Sequence, residues 1–167
     1  METVSNEPTD VSPEDEAVLL QAIDVARRAR ENGNHPFGAV LVTADGTVIE
    51  AENTVITGND PTGHAETNLV RLASARLAAD VRRASTLYTS TEPCAMCSGA
   101  IYWSGIGRVV YALPEQMLGA MIPHQDGEPT MDLPCREVFA RGGSTVTVAG
   151  PAVILEALDV HAGFWDH

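Results

Sequence analysis

Residues 85–112 read STLYTSTEPCAMCSGAIYWSGIGRVVYA. Ser85–Thr91 predicts a short strand, Cys94–Trp103 a helix and Arg108–Ala112 a second strand. Outward from this block the alternation continues. On the N-terminal side, Phe37–Val42 (FGAVLV) is an apolar run of buried-strand length, and Ala44-Asp45-Gly46 turns it into a strand over Thr47–Asn53. Residues 55–63 form a loop, and His64 to about Ala79 is helical, with Leu69, Val70, Leu72, Ala73 and Leu77 on an apolar face. Ser12-Pro13-Glu14-Asp15 opens an earlier helix with a serine cap, a proline at the first helical position and acids in the first turn. Val18, Ile23, Val25 and Ala29 carry its apolar period to a stop at Asn32-Gly33. Arg27, Arg28 and Arg30 suit the negative end of its dipole and read as a solvated helix end. On the C-terminal side, residues 113–134 are proline-rich and acidic, an irregular segment long enough to cover a site. Cys135–Ala140 is then a short helix, Thr145–Ala149 a strand and Ala152–His161 a closing helix. Five strands alternating with helices predict an α/β fold, a three-layer αβα sandwich with helices on both faces of the sheet.

The chain has 167 residues, 44% hydrophobic and 20% charged, which suits one folded domain over 12–167 after a flexible acidic tail at 1–11. Ten basic residues, all arginine, stand against 23 acidic ones, for a net charge of −13. Such a surface repels phosphate backbones and anionic lipid, so neither nucleic acid nor a membrane is the expected partner. No apolar run reaches the roughly 18 residues of a bilayer span, and METVSNEPTD has no basic or apolar leader segment, so the expected location is the cytoplasm. Three cysteines make no closed disulfide set, and Cys94-x-x-Cys97 in a reduced compartment points to metal or redox chemistry.

Two fragments carry the chemistry: His64-Ala65-Glu66 and Pro93-Cys94-Ala95-Met96-Cys97, each opening a predicted helix, with 26 residues between Glu66 and Pro93. That interval holds one helix, a turn and one strand, so the second helix can return beside the first. Both N-termini then face one point, where their dipoles favour thiolate over thiol. One imidazole and two thiolates suit zinc, and three protein ligands leave a fourth position for water, the catalytic arrangement. Two thiolates cancel the +2 charge of the metal, and zinc brings the pKa of water from 15.7 to roughly 7. Glu66 sits two residues past His64, about 200° round a helix, so it stands beside the water instead of sharing the metal. There it can take the proton of the water and hand it to a leaving amine.

This His-x-Glu…Pro-Cys-x-x-Cys pattern resembles the zinc nucleobase deaminases of the cytidine-deaminase superfamily. The likeness runs from about His35 to Tyr111 and more weakly to the C-terminus, and it is similar above all to the guanine-deaminase-like branch of small free-base deaminases. It implies a mixed five-stranded sheet, a Zn2+ cofactor, water as co-substrate, a small heterocyclic amine as substrate, and a homodimer. It also implies that Asn53, 11 residues before His64, holds the base by its polar groups, and that Phe37 in the Pro36–Val40 run stacks near it. Trp103, closing the Gly99–Trp103 run, walls the pocket in that branch, and Ala65 within the first motif and Glu92 just before the second are substrate-binding positions. The Phe164-Trp165-Asp166-His167 ending matches a C-terminal segment that closes the site, often from a partner subunit, and puts Trp165 there. The chain departs from the branch in one place. Guanine deaminases resemble each other in a Gly-Phe-Asp-[Asp/Glu] run whose last acid assists proton transfer, whereas here residues 119–126 read GAMIPHQD. Counting puts Gln125 on the acid's place and Asp126 one residue beyond, as the candidate second acid. Guanine is weakened as the substrate, and cytosine or an aminotriazine becomes a candidate beside it.

Five other readings remain. A redox Cys-x-x-Cys pair leaves His64 and Glu66 unexplained, and a structural zinc site closed by Cys135 leaves Glu66 without a role. A tRNA adenosine deaminase shares the motif but must hold a polyanion, which the charge opposes, and a nucleoside or nucleotide deaminase needs ribose or phosphate contacts, for which no phosphate-binding cluster is legible. A non-catalytic zinc module predicts bound metal without ammonia release.

Overall fold

The computed structural model describes residues 11–122, 131–152 and 154–166. Its sheet has five strands in the order β2-β1-β3-β4-β5. These are β1 (Gly38–Val42), β2 (Val48–Glu52), β3 (Thr86–Thr91), β4 (Arg108–Leu113) and β5 (Thr147–Ala149). β1 runs antiparallel to β2 and β3, pairing Gly38 with Glu52 and Ala39 with Thr89, while β3, β4 and β5 are mutually parallel, so the sheet is mixed. The helices are α1 (Pro13–Glu31), α2 (Ala65–Arg76), α3 (Ala79–Arg83), α4 (Ala95–Ser104), α5 (Glu115–Met121), α6 (Cys135–Ala140) and α7 (Leu155–Asp159).

The central strands are apolar on both faces because both faces are covered. Along β1 and β4, Val40, Val110 and Ala112 point to one layer, packing on Leu19, Ile23 and Ala26 of α1 and Ala157 of α7. Their neighbours Ala39, Leu41, Val109 and Tyr111 point to the other, against Leu69 and Ala73 of α2, Ile101 of α4 and Phe139 of α6. Edge strand β2 needs only one apolar face: Ile49 and Ala51 are buried while Val48 and Glu50 are exposed. At Gly38 the sheet meets α1 so closely that a Cβ there would lie 2.4 Å from the Ala26 backbone nitrogen.

The start of α1 is built as its sequence predicts. Ser12 accepts from the Asp15 backbone N–H and Asp15 accepts from that of Ser12, a reciprocal capping box. Asp15 is buried, and it also accepts two hydrogen bonds from Arg108 at 2.8 and 2.7 Å and one from Tyr88 Oη at 2.9 Å. These tie α1 to β3 and β4. The Arg108 guanidinium holds the Asp15 carboxyl well below the usual carboxylate range. The stability it confers is therefore complete above the unfolded carboxyl value of about 3.9 and is lost as pH falls toward the lower folded value. Asp15→Asn strands a half-buried guanidinium, and in urea unfolding at pH 7 it costs about 2–4 kcal/mol. A loss below about 0.5 kcal/mol would show the pair to be a surface contact.

Four expectations are corrected. Val11, assigned to the tail, packs partly buried against the α1 layer, while the other tail residues, 1–10, lie outside the described residues. The helix from His64 does not run through Ala79: it ends at Leu77, which is extended, and α3 follows. Arg82 fixes that break by donating to the Leu77 and Ser104 carbonyls. Residues 115–121 of the supposedly irregular segment are helical, started by Pro114 at the cap position. The closing helix is shorter than predicted, Leu155–Asp159.

Candidate active site

His64 and Cys94 occupy the same structural position twice, each the extended N-cap residue of its helix, α2 and α4. Neither side chain makes a capping bond, so both are free to turn toward each other. His64 Nδ1 lies 3.5 Å from Cys94 Sγ and 3.5 Å from Cys97 Sγ, and the three donor atoms all lie within 4.8 Å of one another. Tetrahedral zinc, with Zn–N of about 2.0–2.1 Å and Zn–S of about 2.3 Å, needs N···S separations of about 3.5 Å. The residues fit the metal.

The charge distribution fits it as well. The Cys97 thiol donating toward Cys94, with His64 beside it, depresses the Cys94 pKa and favours its thiolate. The same contact and burial push the Cys97 thiol up. His64 is raised by its bond to Cys94. Two like charges cannot share this space without a cation to balance them. Thr67 Oγ1, 3.2 Å from Cys97 Sγ, orients that sulfur from behind.

Glu66 stands next to the ligand set but outside it. It is only 6% exposed. Its Oε1 accepts from Thr89 Oγ1 at 2.9 Å, and its Oε2 is 3.7 Å from Cys97 Sγ. Burial, then the nearby Cys94 charge, raises its pKa. A carboxyl anchored by one oxygen and easily protonated on the other is suited to carrying a proton between water and substrate.

His64, Glu66 and Cys94 border a cavity of about 80 Å3 that is also lined by Phe37, Thr91, Glu92, Glu115 and Leu118. A larger hollow of about 580 Å3 between α1, β2 and α2 is lined by Arg28, Glu50 and Arg71 and includes none of His64, Cys94 and Cys97.

Phe37 and Glu92 both line the cavity. The Glu92 oxygens are already engaged: Oε1 accepts from the Glu115 backbone N–H at 3.2 Å and Oε2 from that of Cys135 at 3.0 Å. The carboxylate stitches the starts of α5 and α6 together. Ala65 is fully buried between His64 and Glu66. Asn53 is buried; its Oδ1 accepts from the Val55 N–H and its own N–H donates to the Phe37 carbonyl.

Trp103 is corrected. It is 85% exposed and, among the described residues, lines no part of the cavity. Nine residues of helix separate it from Cys94, about 13 Å along the axis, which carries it to the far end of α4. Trp165 lies one layer behind the cavity wall, 6.3 Å from the Phe37 ring and donating to His161 Nδ1 at 3.1 Å. Arg30 reaches the Val160 and Ala162 carbonyls and holds this C-terminal segment against its own chain. Asp126 lies outside the described residues. Cys135 is buried and is not among the three donor atoms, which removes it as a fourth ligand.

Three cavity residues, Thr91, Glu115 and Leu118, were not foreseen. Burial, then the neighbouring Glu92, pushes the Glu115 carboxyl up to about 7. The signal for it was Pro114-Glu115, a proline followed by an acid where a strand ends, which marks a helix start.

Comparison with known proteins agrees with this geometry. The "Cytidine and deoxycytidylate deaminase zinc-binding region" profile matches residues 12–113. A probable cytosine deaminase of Schizosaccharomyces pombe is 40% identical over 159 residues, which is 95% of this chain and 96% of the relative. Guanine deaminase of Bacillus subtilis is 44% identical over 98 residues, 58% of this chain and 63% of that one. The solved structure of guanine deaminase from Nitrosomonas europaea superposes with a TM-score of 0.70 at 27% identity, covering 93% of this chain and 86% of its own. With a zinc-fitting His/Cys/Cys set, an adjacent buried glutamate and a match over most of its length, the chain belongs to the cytidine and deoxycytidylate deaminase family.

Proposed function

We propose that this protein hydrolyses the exocyclic amine of a free nucleobase or related heterocycle, releasing ammonia, and that cytosine is its substrate. One observation carries the reaction class: the buried Glu66 carboxyl stands beside the His64, Cys94 and Cys97 donors at the edge of one small cavity. The relative that aligns over almost the full length of both chains supports cytosine.

When bound, zinc supplies the Lewis acidity that makes water a nucleophile near neutral pH. Glu66 accepts a proton from the water attacking the amine-bearing carbon and delivers it to a ring nitrogen; it then takes the remaining proton of the added hydroxyl and gives it to the amine, which leaves as ammonia. The Phe37 ring presents a face to the heterocycle, and Trp165 and His161 behind it limit its motion. Asn53 holds the base by its amide. Asp126 remains a candidate second acid. Guanine is the second reading, supported by the N. europaea superposition over most of both chains.

The −13 charge supports a small-molecule substrate over a polynucleotide. Three free cysteines, two of which must stay reduced to bind metal, support a cytoplasmic setting. The exposed Trp103 at the end of α4 supports a homodimer. Among the described residues no helix is long and apolar enough to cross a membrane.

The test is ammonia release by zinc-loaded protein from cytosine, guanine, adenine, their nucleosides and aminotriazines. Cytosine is expected to lead by at least tenfold in kcat/KM. Guanine leading would replace the substrate and keep the reaction. Silence on every compound, with one zinc per chain, would overturn the deaminase reading in favour of a zinc scaffold.

A further inference from the structure

Buried polar atoms in folded proteins are almost always hydrogen-bonded, so those without partners mark places where something else completes the bonding. Among the described residues three buried side-chain atoms have none: Thr91 Oγ1, Glu115 Oε2 and His161 Nε2. Two of the three residues, Thr91 and Glu115, line the single small cavity that holds His64 and Glu66. They do not bond each other.

Both are held firmly while their polar ends stay free. Thr91 closes β3, paired with Leu113 of β4, and is 3% exposed. Glu115 opens α5, and its backbone N–H is fixed to Glu92 Oε1. Glu92 in turn donates its own N–H to the Leu113 carbonyl at 2.7 Å, and its second oxygen accepts from Cys135. Glu92 is thereby spent on structure. Glu66 is anchored by Thr89, with its other oxygen toward the metal donors. Thr91 and Glu115 are the cavity's uncommitted hydrogen-bonding side chains.

Building on the deaminase reading above, we propose that Thr91 and Glu115 select heterocycles carrying a cyclic amide, a ring N–H adjacent to a carbonyl. The Thr91 hydroxyl donates to the carbonyl, and the Glu115 carboxyl accepts the ring N–H. Cytosine and guanine both present this pair, whereas adenine and 4-aminopyrimidine have no carbonyl and leave Thr91 unpaired. Rejection of a ligand that leaves buried polar groups without partners is a strong form of discrimination. Glu115 is a specificity-determining residue, separate from the proton transfer assigned to Glu66.

The test combines turnover with binding of the product amides uracil and xanthine to the zinc-loaded protein by calorimetry. Glu115→Ala raises KM for the preferred base and Kd for its product tenfold or more while kcat changes less than threefold. Glu115→Gln, which keeps a carbonyl acceptor, recovers most of that loss, and Thr91→Val weakens the product by a similar factor. Thr91→Val, which removes the hydroxyl that 4-aminopyrimidine leaves unpaired, raises kcat/KM for that ring, so the preference for the amide-bearing ring shrinks. Product affinities within twofold of wild type in both Glu115→Ala and Thr91→Val would overturn the proposal, as would a Glu115→Gln variant as weak as Glu115→Ala. If the wild type deaminates nothing, the deaminase reading fails, and the uracil and xanthine measurements still decide the role of these two residues. A wild type that binds neither product overturns it.

Discussion

Replacing Glu66 by glutamine lowers kcat/KM for the preferred base by about 10³–10⁴-fold without changing the zinc content. The size of the effect follows from the carboxyl serving each proton transfer in turn. Glutamine preserves the shape and still accepts from Thr89 Oγ1, but it cannot take a proton from water at neutral pH. Because Glu66 is not one of the three donor atoms, metal bound per chain stays at the wild-type level. The variant also keeps the wild-type fold, since it removes a buried ionisable group and adds no bulk. Ammonia assays paired with metal analysis read both quantities. A loss below tenfold would move proton transfer to another group and return Glu66 to an ordinary acid in the first turn of α2.

Removing the metal has the second large effect. Chelation, or His64→Ala, takes activity below detection and lowers the melting temperature by about 10 °C. The chain then keeps two cysteines at the start of one helix, α4, with no cation between them. A ligand at a thousand times its Kd stabilises by about 4 kcal/mol, and for a chain of this size each kcal/mol moves Tm by about 2–4 °C. Cys135→Ala serves as the control: it loses some stability by leaving a cavity in the α6 layer but retains zinc. Full zinc retention in His64→Ala would show that a different set of side chains holds the metal. Activity that survives complete chelation would remove zinc from the reaction.

How much of this was legible depended on how local each signal was. Val40 and Leu41, or Val109 and Val110, announce a strand because adjacent apolar residues with no polar alternation require a sheet buried on both sides. Ser12-Pro13-Asp15 announces a helix start because the capping box closes within four residues. Helix α5 was missed because the prolines and acidic bias of residues 113–134 read as irregular, and nothing in that composition reveals that Glu92 reaches across to bond the first amide of α5. Trp103 was misplaced for a related reason. Its resemblance to a pocket residue is a matter of sequence position, whereas the axis of α4 carries its ring to the exposed end of this chain.

By itself, the sequence determined the metal chemistry, because His64, Cys94 and Cys97 each sit one residue or one turn from a helix start, and those starts follow from local composition. It likewise determined the succession of the five strands and placed Glu66 beside the ligands, since two helical residues span a known angle. Only the tertiary structure decided which side chains have spare hydrogen-bonding capacity. Glu92 and Glu115 are both acids near the site, yet one is consumed by the amides of Glu115 and Cys135 and the other keeps a buried oxygen free. That difference arises from partners 23 and 43 residues away along the chain. Hydrogen-bond satisfaction at such separations is set by how strands and helices pack, and no local pattern encodes it.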